Sequence, residues 1–257
     1  MKAILSLLFA IVLNLNSCLI MNGERGNGNI ESKEFAVEDY SAVHLSGSAK
    51  MFYEQKTTEK PYLRIEIDEN LLEYLEPTVK NGHLNLGTTK NINPTKYTIY
   101  TNSTSLKKAS LSGSGSLSLD SDLETDELDM SVSGSGKILA GNISCQNLKT
   151  SISGSGSIQI ESLSGGSLSI SVSGSGSMKV AGSISESNVK VSGSGGVNLK
   201  ELVSSKSKAN VSGSGKIHLN VTEDLEARVS GSGGIYYTGN PEHKQVSASG
   251  SGKVKQE

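Results

Sequence analysis

The first candidate for chemistry in this chain is a repeated tetrapeptide of serine and glycine, of which one copy precedes Lys137. Ser133-Gly-Ser-Gly-Lys137 is similar to the end of a phosphate-binding loop. Ile138 stands where such a loop needs the Ser or Thr that binds magnesium. The same Ser-Gly-Ser-Gly occurs at seven other places in the chain. The tetrapeptide is therefore best interpreted as a structural repeat.

The residue types that most often act as acids, bases or nucleophiles are not gathered at one place. The four histidines occupy unrelated positions, namely His44, His83, His218 and His243. Enzymes that cleave polysaccharides need clustered carboxylates, or a basic side chain beside acidic ones. No Gly-x-Ser-x-Gly elbow joins a strand to a helix here. We therefore predict a protein that is not an enzyme and that carries no cofactor.

The densest acidic group in the chain offers hard oxygen ligands that could bind a cation. Its members are Asp120, Asp122, Asp126 and Asp129. Calcium-binding β-rolls need a glycine-rich nonapeptide with an aspartate in each turn. No aspartate recurs beside the glycines of this chain. We interpret the group as a solvated loop and predict no metal site.

The tetrapeptide indicates the architecture that must position these residues. It starts at Ser112, Ser133, Ser153, Ser173, Ser192, Ser212, Ser230 and Ser249. These starts lie 18 to 21 residues apart, and a period of this length is typical of a solenoid, in which each repeat is one coil. Glycine is thus placed periodically, so its abundance does not indicate disorder.

Aligned on the tetrapeptide, every coil has apolar residues at alternating positions, which lie on one face of a strand. We predict about three short strands per coil with apolar side chains inward. The mid-coil inward residues are Leu123, Ile143, Leu163, Ile184 and Val203. The serines of each tetrapeptide should point outward, and its glycines should point inward or form a corner. These structural glycines are Gly113, Gly115, Gly134, Gly136, Gly154, Gly156, Gly174, Gly176, Gly193, Gly195, Gly213, Gly215, Gly231, Gly233, Gly250 and Gly252.

Stacked coils place equivalent strands side by side in parallel ladders. We expect a coil spacing of about 4.8 Å and right-handed coils, because parallel crossovers are almost always right-handed. One coil cannot bury its apolar residues alone, so neighbouring coils stabilise each other. The predicted fold class is all-β, a right-handed parallel β-helix or solenoid with coils of about 20 residues.

Residues 1–17 have the features of an export signal. Lys2 precedes an apolar stretch, Ala3 to Leu13, that is too short to span a bilayer. Ser17-Cys18, directly after it, resembles a bacterial lipoprotein signal, in which the cysteine becomes the acylated N-terminus. Ordinary cleavage near Ser17 is the alternative. We predict acylation of Cys18, membrane attachment through its acyl chains, and a location in the cell envelope, with the outer membrane favoured.

Three segments follow the signal. Residues 18–33 are small and polar, as expected of a flexible tether. Residues 34–107 alternate less regularly and should form the irregular start of the solenoid. Residues 108–257 should form its regular part, continuous with the preceding one.

Two local signals lie in the irregular part. Asp68 is a possible N-cap and Pro77 a stop for one short helix. Asn81-Gly82 lies between two alternating runs and predicts a turn.

The charged residues exclude one class of partner. The chain has 24 basic and 26 acidic residues, a net charge of −2. No basic stripe is visible along the sequence, and Lys206 and Lys208 are interpreted as part of a solvated face. Nucleic-acid binding therefore has no electrostatic support. Cys145 lies among alternating apolar residues and is expected to be a small buried thiol.

The sequence resembles the bacterial family described as putative auto-transporter adhesin, head GIN domain. The resemblance rests on Phe35–Tyr40, Asp68–Leu72, Asn81–Leu84 and the Gly-Ser-Gly coils, and extends from about Glu34 to the C-terminus. It implies an exported or lipid-anchored protein of the cell envelope with a β-helix fold. The family brings no catalytic residues to this chain.

Two functions are compatible with these features. The first is an adhesin-like lipoprotein whose β-helix presents a long face to a glycan or a surface protein, since a repetitive face suits a repetitive ligand. The second is a structural lipoprotein that faces the periplasm and has no external ligand. The tether and the long solenoid favour the first, and the sequence does not specify the ligand.

Overall fold

The computed structural model describes residues 23–257, which fold into a β-solenoid. The predicted signal sequence and Cys18 lie outside the described residues. The solenoid has about seven turns, with coils about 20 residues apart, and it is not closed into a barrel. The predicted all-β solenoid and its repeat length are therefore confirmed. No helix within residues 23–257 is long and apolar enough to cross a bilayer.

The irregular part consists of short strands and one 3₁₀ helix. These are β1 (Glu24–Arg25), β2 (Ile30–Ala36), β3 (Ala42–Gly47), β4 (Lys50–Gln55), β5 (Tyr62–Asp68), the 3₁₀ helix (Glu69–Tyr74), β6 (Leu75–Lys80), β7 (His83–Thr88), β8 (Ile92–Asn93) and β9 (Tyr97–Ser103). The regular part has β10 (Lys108–Gly113), β11 (Ser116–Leu119), β12 (Leu123–Gly134), β13 (Lys137–Gly154), β14 (Ser157–Gly174), β15 (Ser177–Gly193), β16 (Gly196–Gly213), β17 (Lys216–Gly231), β18 (Gly234–Thr238), β19 (His243–Gly250) and β20 (Lys253–Gln256).

In the middle of the regular part, from β13 to β17, each coil is one nearly unbroken strand. β13 to β17 have 16 to 18 residues each, and each pairs in parallel with the next coil along most of its length. The prediction of three short strands per coil is thus wrong. The strand bends without losing its partners, and mid-coil glycines with positive φ, such as Gly165 at 153° and Gly182 at 125°, contribute to the bends.

The tetrapeptide forms the one corner at which the strand is interrupted. Its first glycine has φ between 105° and 116° in the copies from Gly113 to Gly231, a conformation open mainly to glycine. The following serine donates its N–H to the carbonyl of the equivalent glycine one coil earlier, as Ser155 does to Gly134 at 2.9 Å. The second glycine, for example Gly156, is buried against the preceding coil.

The irregular part begins the same solenoid and adds antiparallel strands to it. β3 and β4 pair in parallel with β10 and β11 on one side, and with β7 and β9 on the other, so that β7 and β9 begin the stack. β2, β5 and β9 pair antiparallel, and β6 and β7 form a hairpin. The hairpin turns at Asn81 and Gly82, whose φ angles are 53° and 72°, as the two-residue turn signal predicts. The predicted short helix is the 3₁₀ helix, which ends before Pro77.

The structure corrects part of the predicted tether, because residues 23–33 belong to the fold. β1 pairs with β8, and β2 begins at Ile30. The physical reason is the buried carboxylate of Asp68, which accepts the N–H of Gly28 at 2.7 Å and the N–H and hydroxyl of Thr95 at 2.8 and 2.6 Å. Asp68 holds the N-cap position of the 3₁₀ helix but makes no side-chain cap bond.

The core is a set of apolar columns that run along the solenoid. The alternating positions predicted to point inward are buried in nearly every coil, for example Leu111, Val132 and Ile152 at 1–2 % exposure. Val246 and Ala248 of the last coil are exposed, and in mid-coil Val203 has 40 % exposure, whereas Leu202 has 1 %. The pairing of β15 with β16 shifts register between Lys179 and Gly182. The shift places Leu202 in the mid-coil column and turns Val203 to solvent.

Candidate functional site

The outward side chains of successive coils form straight columns, because the coils pair in register. Two columns follow the tetrapeptide corner, and we call the surface they form the lateral face. Its first column is Thr98, Lys50, Ser116, Lys137, Ser157, Ser177, Gly196, Lys216, Gly234 and Lys253. Its second column is Tyr100, Phe52, Ser118, Leu139, Gln159, Lys179, Asn198, His218, Tyr236 and Lys255.

The lateral face is positively charged, although the whole chain has a net charge of −2. Its two columns hold six lysines, all exposed, and none of the 26 acidic residues of the chain. Within the described residues, only Lys179 of these six is in an ion pair, with Glu201 at 3.1 Å. The other five ammonium groups are available to an anionic ligand.

Aromatic side chains lie toward the two ends of the lateral face. Phe52 and Tyr100 stack with ring centroids 5.2 Å apart, and the guanidinium of Arg64 lies 4.2 Å from the Tyr100 ring centroid. At the other end His218 and Tyr236 stack at 4.9 Å. These rings are half-buried, so each stack is held by the sheet and still borders solvent.

Between the aromatic ends the lateral face contains a shallow groove of about 420 Å³. Small residues of the first column, Ser157, Ser177 and Gly196, give it a low floor. Polar side chains of the second column, among them Gln159 and Asn198, border it. The groove thus offers hydroxyl and amide groups between cationic side chains.

A larger cleft of about 590 Å³ lies on another side of the solenoid. Its two lysines are already paired, since the ammonium of Lys206 lies 3.2 Å from Asp224 and that of Lys208 lies 2.9 Å from Glu226. The hydrogen bond to Asp224 raises the pKa of Lys206, the opposite of what a lysine base requires. The ion pairs in this cleft therefore hold neighbouring coils together, and Lys206 lacks the lowered pKa that a catalytic base needs.

The structure does not bring the candidate chemical residues together. His218 lies on the lateral face, whereas His243 borders the larger cleft and His44 lies 3.2 Å from Ser112. In the acidic group, Asp122 accepts a hydrogen bond from Asn142 at 2.9 Å. Across residues 23–257, no three His, Cys, Asp or Glu side chains are arranged to hold a metal ion.

Cys145 is buried, as its neighbours in the sequence indicate, with 3 % exposure. Burial raises the pKa of its thiol, which keeps the thiol protonated and disfavours nucleophilic chemistry. Tyr237 is buried and its neighbour Tyr236 faces outward, as adjacent residues of a strand must.

Comparison with known proteins assigns the chain to a family. The family model described as putative auto-transporter adhesin, head GIN domain, matches residues 39–241. The chain belongs to this family. The assignment indicates an adhesin-like role and a location in the cell envelope or at the cell surface.

Three crystal structures resemble this head GIN domain protein over most of their length. A "putative lipid binding protein" from Parabacteroides distasonis is 32% identical, with a TM-score of 0.84, and the match covers 90% of this chain and 98% of that one. A "putative adhesin" from Parabacteroides merdae is 26% identical, with a TM-score of 0.87 and the same coverage. A "putative adhesin" from P. distasonis is 26% identical, with a TM-score of 0.86, and the match covers 91% of this chain and 100% of that one. No curated protein shows a significant match.

The lateral face of this head GIN domain protein corrects one premise of the sequence analysis, that the chain has no basic stripe. From Lys50 to Lys253 its successive lysines are 37 to 87 residues apart on separate coils, and only Lys253 and Lys255 are close in sequence, so no long local run of basic residues exists. The signal that the sequence does carry is the set of the first two outward positions after each tetrapeptide, which contains lysines and no acidic residue.

Proposed function

We propose that this head GIN domain protein is a non-enzymatic, adhesin-like lipoprotein of the cell envelope that binds a glycan through the side of its solenoid. The observation that carries the proposal is the straight register of the outward columns. Equivalent outward positions recur on every coil, about 4.8 Å apart. A polymer of identical units that lies along the axis can therefore repeat the same contact many times, and weak contacts add up through multivalency.

The distribution of charge supports a binding role over catalysis. In the larger cleft the carboxylates of Asp224 and Glu226 are held by lysines, and the hydrogen bond from Lys208 lowers the pKa of Glu226. A general acid at neutral pH needs the opposite shift. A surface protein is a second possible ligand class, but it offers no regular repeat to match the columns.

Acylation of Cys18 is the anchoring step of this proposal. A lipid on this residue would hold the solenoid at a membrane while its sides stay in water. We expect Cys18→Ala to move the protein from the membrane to the soluble fraction and to abolish incorporation of labelled palmitate. Cys145→Ala is the matched control, because its thiol is buried, and it should leave both readouts unchanged. Membrane retention of the Cys18→Ala protein would refute the anchor.

The display of the solenoid is tested with an epitope placed after Glu257. Labelling of intact cells, together with binding of the purified protein to an array of polysaccharides, is the result we expect. Labelling only after permeabilisation, with no polysaccharide bound, would overturn the proposal and favour a structural protein that faces the periplasm.

A further inference from the structure

The lysines of the lateral face recur on every second coil. In register order the ten rows of the face begin with Thr98 on β9 and end with Lys253 on β20. Counting from the row that follows β9, the rows with a cation are those of Lys50, Lys137, Lys179, Lys216 and, in the last row, Lys253 with Lys255. Each row between them is uncharged and carries glycine or the neutral aromatic, amide or hydroxyl side chains of the face.

This alternation sets a distance between positive charges along the axis. Two coils span about 10 Å, since neighbouring strands lie about 4.8 Å apart. The repeating disaccharide of an extended polysaccharide has nearly the same length. An acidic group on every second sugar would therefore meet one lysine after another without the chain having to bend.

The uncharged rows provide hydrogen-bonding groups and open surface for the neutral sugar of such a disaccharide. Gln159 and Asn198 offer amide groups that can both donate and accept hydrogen bonds, and each lies next to a small residue of the first column, Ser157 or Gly196. Tyr236 packs over Gly234, where a Cβ atom would lie 2.8 Å from the ring. The ring thus lies low against the sheet and leaves room above it.

We propose that the lateral face binds an acidic polysaccharide extended along the solenoid, with one anionic group for each disaccharide. The inference rests on the proposed function and names the ligand class of that binding side. Lysine ammonium groups contact the anionic groups, and the uncharged rows contact the neutral sugars. Charge-assisted hydrogen bonds of this kind are the stronger ones at a surface, and salt should weaken them.

The spacing also separates this ligand from nucleic acid. Each strand of duplex DNA carries a phosphate about every 3.4 Å, so about three phosphates would face each lysine row. A solenoid with a cation on every second coil would leave most of those phosphates without a partner. The lysine spacing thus does not match nucleic acid. Nucleic acid and anionic membranes are the two alternative anionic ligands that the experiment includes.

The experiment uses the full-length protein and measures affinity for hyaluronan, which has one carboxylate per disaccharide. Chondroitin sulfate, dextran, single-stranded DNA and phosphatidylglycerol vesicles are the comparison probes. We expect tight binding to hyaluronan that weakens with salt, and weak binding to dextran, single-stranded DNA and the vesicles. Chondroitin sulfate carries a sulfate besides the carboxylate in each disaccharide, and clearly tighter binding of it than of hyaluronan would overturn the match of one anionic group to each disaccharide.

Two triple variants locate the site. Lys137→Gln, Lys179→Gln and Lys216→Gln together should weaken binding by about tenfold or more. The control Lys149→Gln, Lys190→Gln and Lys208→Gln removes the same charge from exposed lysines elsewhere on the solenoid and should change binding less than about twofold. Thermal melting of each variant shows that the fold is intact. Equal losses in the two triple variants would overturn the assignment to the lateral face.

A charge-conserving exchange tests the period itself. Lys137→Ser with Ser157→Lys moves one cation to the adjacent coil of the same column and breaks the two-coil spacing at constant charge. We expect weaker binding than in the unmodified protein, and unchanged binding would overturn the disaccharide match.

The outcomes separate this inference from the proposed function. Binding to dextran alone would overturn the inference and leave a glycan-binding side. Binding to no polysaccharide would overturn both. Binding of DNA or of the vesicles as tightly as the acidic polysaccharides would overturn the ligand class.

Discussion

At the scale of single residues, the first glycine of each tetrapeptide meets two requirements at once. Gly174 has φ of 105°, and a Cβ atom on it would lie 2.7 Å from the carbonyl oxygen of Gly154 in the preceding coil. The first requirement is conformational, because side chains other than glycine rarely adopt this φ. The second is steric, because two coils approach each other through their backbones at this corner.

Gly174→Val should therefore destabilise the protein strongly. Backbone strain and overpacking together cost about 2–5 kcal/mol, which urea denaturation measures as a lower midpoint. Gly141→Val is the matched control, since Gly141 lies in β13, has no positive φ and has nothing within 4 Å of a Cβ atom. A similar midpoint for the two variants would show that the corner does not need glycine.

A single buried carboxylate holds the first described residues to the rest of the fold. Burial alone would raise the pKa of Asp68, but the hydrogen bonds from Thr95 and Gly28 outweigh it, and the pKa falls below its usual 3.8. A group with a lowered folded-state pKa stabilises the protein above its unfolded pKa, and this contribution is lost as the pH falls through the folded value.

Asp68→Asn should therefore cost stability at neutral pH, by about 1–3 kcal/mol, because an amide cannot accept all three hydrogen bonds. The difference from the unmodified protein should shrink as the pH falls below about 4. Urea denaturation at several pH values measures it. Glu161→Gln, which changes an exposed carboxylate, serves as control, and a difference for Asp68→Asn that stays constant with pH would contradict the ionic role.

At the scale of elements, the register between coils decides which residue of a strand is buried. The mid-coil column contains Leu163, Gly182 and Leu202, which pair in succession. Gly182 adds no side chain to this column, and a Cβ atom on it would collide with the backbone of Leu163. Ile184, two residues further on, is buried as well. A shift of one residue exchanges the buried and exposed faces, as it does for Val203.

The shift predicts opposite results for two adjacent substitutions. Leu202→Ala removes a fully buried side chain and should destabilise by about 2–5 kcal/mol. Val203→Ala removes an exposed one and should change stability by less than about 0.5 kcal/mol. Thermal melting of the two variants measures the difference. A larger loss of stability in Val203→Ala than in Leu202→Ala would show that Val203, and not Leu202, lies in the core.

The sequence predicts the inward columns well because the tetrapeptide fixes the register on both sides of it. It fails in mid-coil, since an apolar pair such as Leu202-Val203 fits either face and only the neighbouring coil decides. It also fails for residues 23–33, whose small polar residues are typical of a linker. They are ordered by Asp68, a residue more than 30 positions away, and no local pattern records that contact.

At the scale of the whole molecule, the fold is a stack in which each coil contacts mainly its two neighbours. β15 pairs with β14 on one side and β16 on the other, whereas β19 pairs only with β17 among the described residues. All eight residues of β19 are exposed. Stability in such a stack is a sum of coil and interface contributions. The loss of stability caused by a substitution therefore depends on the position of its coil along the axis.

The same glycine-to-valine substitution in a central coil and in the last described coil tests this dependence. Gly250 repeats the geometry of Gly174, with φ of 83° and a Cβ position 2.7 Å from the carbonyl oxygen of Gly231. Gly250→Val should release only β19 and β20, because no further coil lies behind them in the described chain, whereas Gly174→Val disrupts interfaces on both sides. Hydrogen exchange should show lost protection confined to residues 243–256 in the first variant and spread over β13 to β16 in the second. If Gly250→Val lowered protection throughout the solenoid, the coils would unfold as one unit, and the binding side would be lost with any single coil.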